Sequence, residues 1–161
     1  MWLYHAPVDR LVLFDYRKGR DSSGPGEMLA GIKGILQTDG YKVYESLYGN
    51  HPDILLTYCM AHARRYFVND EKQANYVLDE MQLLYALEQR MREQELGWEK
   101  RTEERKKDAR PVLERLEKWL KENQYRYRPQ SPMGKAIDYT LPRWAGLSAY
   151  ELHGQMEMTI I

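Results

Sequence analysis

Hydrophobic positions change their spacing along the chain. Residues 1–67 carry short apolar runs at 2–5, 11–14, 35–38 and 54–59, each too short for a helix and bounded by turn-forming residues. The first two runs flank Ala6-Pro7-Val8-Asp9-Arg10, which predicts a hairpin turning on Pro7 and Asp9. Residues 18–26 (KGRDSSGPG) form a loop by composition. A helix starting at Ser23, or at Gly24 before Pro25, is predicted through Lys33, with Met28, Leu29 and Ile32 on its buried face. The third run ends at Asp39-Gly40. Residues 41–47 are predicted as a short helix, 48–53 as a loop, and a helix begins near Ala61 after the fourth run. Strands alternating with helices predict an open α/β sheet.

From residue 70 the period lengthens. Ala74, Val77, Leu78, Met81, Leu84 and Tyr85 recur at helical spacing, and so do Ala109, Val112, Leu113, Leu116, Trp119 and Leu120. Between them, residues 99–107 (EKRTEERKK) are a dense run of mixed charge. Two long antiparallel helices, or one helix bent at Pro111, satisfy this pattern, and packing is its ordinary meaning. Residues 125–132 (YRYRPQSP) read as an extended linker. Residues 132–144 read as a helix capped by Ser131 and interrupted near Pro142, and 155–161 as a final strand.

Composition narrows the class. A chain of 161 residues, 43% hydrophobic and 30% charged, has enough apolar surface for a core without staples. Its longest apolar runs fall short of a membrane span, and Met1-Trp2-Leu3-Tyr4-His5 lacks a signal-peptide layout, which gives the expectation of a cytoplasmic protein with no membrane partner. The single cysteine, Cys59, excludes an internal disulfide framework. With 24 basic and 24 acidic residues the chain lacks a strongly cationic coat, so any contact with nucleic acid must come from local patches. Thirteen tyrosines and four tryptophans against two phenylalanines suggest many half-buried rings with a polar end at water or at a partner.

Three places carry candidate chemistry. Asp39, directly after a short apolar run and before Gly40, falls at the carboxyl edge of the predicted sheet, where α/β proteins place ligands. Strand–Asp–Gly more often marks a plain turn or a helix cap, and two-metal phosphoryl transfer needs several converging carboxylates. Cys59 and His62, three apart at a strand-to-helix junction, have the spacing of half a zinc site, but no second pair completes it. A buried thiol beside a histidine that bonds the strand end is the commoner arrangement. Arg64-Arg65, and the loop cations Arg17, Lys18 and Arg20, suit a nucleic-acid backbone; solvated surface charge is the alternative. Phosphate-binding glycine loops, dinucleotide fingerprints and nucleophilic triads do not emerge.

Four segments in order carry a resemblance: YHAPVDRLVLFDYRKGR (4–20), GILQTDGYKVY (34–44), CMAHARRYF (59–67) and SPMGKAIDY (131–139). Together they resemble the insertion sequence 66 family of transposases, members of the DDE superfamily, over residues 2–153. The resemblance implies an incomplete ribonuclease H-like α/β core with an α-helical insertion. Residues 1–69 would form part of the core, 70–124 the insertion, and 125–161 a C-terminal helix and tail of the core, cut short. It also implies transposition by metal-dependent cleavage and strand transfer of DNA, with three acids holding two divalent ions, usually Mg²⁺. Asp39 matches the second acid and is the one catalytic and metal-holding residue implied here. Cys59 and His62 match a Cys-x-x-His element that supports the site, and the arginines and Lys18 would contact the transposon ends.

The departures shape the expectation. In the family the first acid lies on a strand upstream of Trp2, and the third on a helix beyond an Asp-Asn-Asn motif; neither is among these residues. The reading is therefore a bacterial transposase fragment, inactive alone, with Mg²⁺ held weakly by its one acid. The strand carrying the first acid is central in such sheets, and losing it leaves unpaired backbone, so marginal stability or self-association is expected. The alternative is a regulatory module that binds DNA or an intact transposase.

Overall fold

A computed structural model describes residues 1–159. The fold is mixed α/β. Two short strands, β1 (Trp2–Ala6) and β2 (Leu11–Asp15), form the expected hairpin, antiparallel with Trp2 opposite Asp15 and Ala6 opposite Leu11. Two more, β3 (Gly34–Thr38) and β4 (Ile54–Tyr58), pair with each other. Gly34 N–H donates to Asp53 O at 2.8 Å and Cys59 N–H to Thr38 O at 2.9 Å, so β3 and β4 run parallel. The crossover between them holds helix α2 (Lys42–Tyr48), making a βαβ unit. The single open sheet predicted from the alternation is thus replaced by two separate two-stranded sheets.

The chain divides into two compact units, residues 1–36 with 41–56 and residues 37–40 with 57–161. In the first, Trp2 packs edge-on against Tyr44, ring centroids 5.9 Å apart, within a cluster completed by Tyr48 and Ile54. Tyr48 donates its hydroxyl to Pro25 O at 3.1 Å, an instance of the half-polar aromatic core that the tyrosine content suggested. Helix α1 spans only Ser23–Met28, shorter than predicted. Gly31 follows at φ +77°, a left-handed conformation that a helix cannot continue through.

The second unit is largely helical: α3 (Met60–Val68), α4 (Glu71–Glu93), α5 (Trp98–Glu104), α6 (Arg110–Asn123), α7 (Pro132–Thr140) and α8 (Trp144–Ser148). Arg115 bonds Glu80 while Arg90 bonds Asp108, so α4 and α6 are antiparallel, the first of the two arrangements the periodicity allowed. Both apolar stripes face inward: Ala74, Val77, Met81 and Leu84 on α4, and Val112, Leu113, Leu116 and Leu120 on α6, are buried. The helix continues through Pro111 because a π turn, Arg105–Ala109, joins α5 to α6 and loosens the ladder where proline can donate no bond.

Inside this packing lies an ionic network that the charge run concealed. Arg105 is fully buried and grips Glu88 with Nε and Nη2, both at 2.8 Å. Its Nη1 donates to Tyr150 O and His153 O at 2.9 and 3.0 Å, and Nη2 also to Met156 O at 2.8 Å. Arg101 bridges Glu88 and Glu157 at 3.2 and 2.9 Å. The mixed-charge run thus presents two of its arginines to the interior.

Further departures concern the C-terminal third. Residues 125–132 form turns rather than an extended linker, with Ser131 N–H donating to Arg128 O at 2.9 Å. Ser131 caps α7 as expected, its Oγ accepting from Gly134 N–H at 3.1 Å. The helix gives way at Leu141–Arg143, a 3₁₀ turn around Pro142. Residues 155–159 are not a strand, and the rest of that prediction, 160–161, lies outside the described residues. The carbonyls of this stretch are taken one by one: Met156 O by Arg105, Glu157 O by Gln37 Nε2 at 2.8 Å, and Met158 O by Met60 N–H at 3.1 Å. Among the described residues no helix is long and apolar enough to cross a membrane.

Candidate functional site

Asp39 follows β3 directly, at the carboxyl end of a parallel strand pair, the position that α/β folds use for ligands. The turn is set by Gly40 at φ +79°, where its N–H donates to Thr38 Oγ1 at 3.3 Å. Thr38 is buried, and its hydroxyl donates in turn to Thr57 O at 3.5 Å. The neighbouring strand ends one residue before Cys59, which is fully buried and stands at the N-cap of α3.

One turn into α3 lies His62. A hydrogen bond between the Cys59 and His62 side chains holds the imidazole above its ordinary value of 6.5; the Asp39 charge adds to this, while burial and Arg65 oppose it. A group whose folded-state value is raised stabilises the fold fully below its unfolded value, and that contribution fades as pH climbs through the raised one. The stability difference between wild type and His62→Gln, measured by urea unfolding, is therefore expected to be larger at about pH 5.5 than at about pH 8.5. An equal difference at both would refute the coupling.

The far side of the turn is closed by α7, a contribution that the sequence reading did not single out. Tyr139 donates its hydroxyl to Asp39 O at 2.5 Å. Its ring stacks on Tyr66 of α3, centroids 4.4 Å apart. Burial pushes the Tyr139 phenol up to about 12, so it stays protonated and keeps donating at neutral pH. Arg143 donates from Nη1 to Tyr139 O at 3.0 Å and from Nη2 to Gly40 O at 3.4 Å. The available signal was the segment SPMGKAIDY, which ends on Tyr139, but its spacing from Asp39 hides the meeting.

The structure brings Asp39, Cys59 and His62 into one unit, with Arg64 and Arg65 on the same helix as His62. Arg64 lies over the Tyr85 ring at 6.0 Å, and Arg65 is exposed. Arg17, Lys18 and Arg20 belong to the other unit. There Arg17 is taken up by Asp15 and Glu27 at 2.9 and 2.8 Å, Arg20 lies over Trp2 and Tyr41 at 5.8 and 5.3 Å, and Lys18 is exposed.

Magnesium takes hard oxygen ligands in near-octahedral array. Among the described residues no three His, Cys, Asp or Glu side chains gather where one ion could be held. One carboxylate near an imidazole, a phenol and a thiol does not fit a two-magnesium centre, and no step through such ions is derived for these residues alone.

Comparison with known proteins places the chain in one family. The Transposase IS66 family matches residues 1–159. An uncharacterized protein y4jD of Sinorhizobium fredii (strain NBRC 101917 / NGR234) is 30% identical over 165 residues, covering 96% of this chain and 32% of its own length. Two others from the same strain, uncharacterized proteins y4qI and y4hP, are 29% and 26% identical over 160 residues each, covering 92% and 87% of this chain and 29% of their own lengths. The chain thus spans about a third of the length of these relatives. No solved structure matches it. With the family matching nearly end to end, the chain belongs to the IS66 transposases.

Proposed function

We propose that the chain forms part of the catalytic core of a DNA transposase, with Asp39 as one of the metal-holding acids. The observation that carries this reading is the place of Asp39: the end of a parallel strand in a βαβ unit, inside a chain of transposase kinship. Cys59 and His62 support that strand end, and Arg64 and Arg65 with Arg17, Lys18 and Arg20 contact the DNA of the transposon ends. The fold reading is ribonuclease H-like: a further strand pairing with both β1 and β3 would join the two strand pairs into one sheet. By the resemblance that strand carries the first acid, and the remaining Mg²⁺ ligands come from outside these residues.

On this reading the chain does not cleave DNA by itself, because one carboxylate cannot hold two magnesium ions. Supercoiled plasmid incubated with the purified chain and Mg²⁺ or Mn²⁺ is expected to stay supercoiled. Nicking that disappears in Asp39→Ala would overturn the proposed inactivity, and nicking that survives it would overturn the role of Asp39.

The second reading, an interaction module that binds DNA, another copy or an intact transposase, is favoured by β2. Leu11, Val12, Leu13 and Phe14 are all exposed there, 39–63%, so the strand offers apolar side chains on both faces. Sedimentation showing only monomer, with no capture of an intact family member and no binding to a DNA duplex, would remove this reading.

A further inference from the structure

Arginines in the second unit divide by their company. Arg105 and Arg101, both buried, are matched by Glu88 and Glu157. Arg143 differs. It is half-buried in the 3₁₀ turn after α7, and among the described residues its polar contacts are carbonyls only, Tyr139 O and Gly40 O. Its Cζ lies 4.7 Å from the Tyr139 ring centroid and 5.9 Å from that of Tyr58. The Nε atom is buried without an acceptor. Guanidinium carries five N–H donors and a permanent charge. Two of the five are used here, neither on an anion, which leaves three donors of a permanent cation without an acceptor among the described residues.

The placement of this cation is fixed rather than incidental. The Gly40 carbonyl ties it to the residue after Asp39, and the Tyr139 carbonyl ties it to the residue whose hydroxyl holds Asp39 O. Aromatic rings beside a guanidinium restrain its plane and keep it weakly hydrated, the state in which it binds an oxyanion most strongly. Lysine would lack the fork needed to hold two carbonyls and an anion together.

We infer that Arg143 is a phosphate-binding residue of the Asp39 turn, placed to take a non-bridging oxygen of a nucleic-acid phosphodiester beside the acid. The inference rests on the DNA-handling reading above and names the phosphate contact at that site.

The test is binding of the full chain to a fluorescein-labelled DNA duplex, followed by anisotropy over a range of salt concentrations. Wild type is expected to weaken linearly in log–log form, and Arg143→Gln to show a slope shallower by about 0.9, one phosphate contact. Arg143→Lys keeps the charge and is expected to keep the slope while losing about three- to tenfold in affinity, since the fork is gone. Salt-dependent wild-type binding with an unchanged slope in Arg143→Gln overturns the assignment alone. Absence of any wild-type binding overturns the DNA reading and the assignment with it. If Arg143→Gln does not fold, the Arg143 Nε–H resonance of the wild type decides, followed as inorganic phosphate and then unlabelled duplex is added. Its displacement by both supports the contact, and indifference to both overturns it.

Discussion

Arg105→Ala is expected to lower the free energy of unfolding by about 3–5 kcal/mol, the usual cost of removing one partner from a buried ion pair. Three losses combine. Glu88, only 1% exposed, keeps a single guanidinium, that of Arg101. The carbonyls of Tyr150, His153 and Met156 lose a donor each; the first two keep the backbone N–H groups of His153 and Met156, but among the described residues Met156 O is left without a donor, and a buried acceptor in that state is costly. The side chain's volume empties as well. Urea denaturation read by tryptophan fluorescence measures this as a lower midpoint. A loss under about 1 kcal/mol would show that the network is incidental. The double variant Glu88→Leu/Arg105→Met separates the components. Apolar replacement of a buried pair is often neutral, yet here it still strands Met156 O and takes Glu88 from Arg101, so only part of the loss is expected to return.

Gly40→Ala is expected to cost about 1–3 kcal/mol from backbone strain alone, since φ +79° is a conformation that residues with a side chain rarely hold. Space adds to it. A Cβ at Gly40 would lie 2.6 Å from Tyr139 Oη and 3.0 Å from Arg143 Nε. The new methyl therefore pushes at the hydroxyl that holds Asp39 O and at the arginine beside it. Tyr139→Phe removes only the hydroxyl, at an expected cost of about 1 kcal/mol. Because both changes act on one contact, their effects should not add: Gly40→Ala/Tyr139→Phe is expected to be more stable than the sum of the single losses implies. Additive losses in thermal or urea unfolding would place the strain elsewhere.

Local pattern made the elements legible. The hairpin, the βαβ unit with Asp39 at its strand end, both apolar stripes and the Ser131 cap follow from period and capping chemistry that act within a few residues. What the pattern hid is long-range. Arg105 sits in a run whose neighbours Lys106 and Lys107 are exposed, and nothing local tells a buried arginine from a solvated one. Its identity depends on Glu88 and on carbonyls more than forty residues away. Tyr139 and Arg143 meet Asp39 and Gly40 across about a hundred residues, a separation that no window spans. The final strand failed for a related reason: an apolar stretch can be held by side chains that claim its carbonyls singly, without a ladder. The single open sheet failed because strand identity is local whereas sheet membership is not.

The C-terminal stretch fastened by Arg105, Gln37 and Met60 has a consequence for the order of events at the ribosome. Gln37, Met60 and Arg105 all emerge before the carbonyls that complete their bonding exist. At about 5–20 residues per second, the roughly fifty residues after Arg105 take some seconds to synthesise. Throughout that interval the Arg105 donors that finally meet Tyr150, His153 and Met156 have no such carbonyl to bond. The bonds that Gln37 and Met60 make on either side of the Asp39 turn therefore form only after residues 157 and 158 have been added.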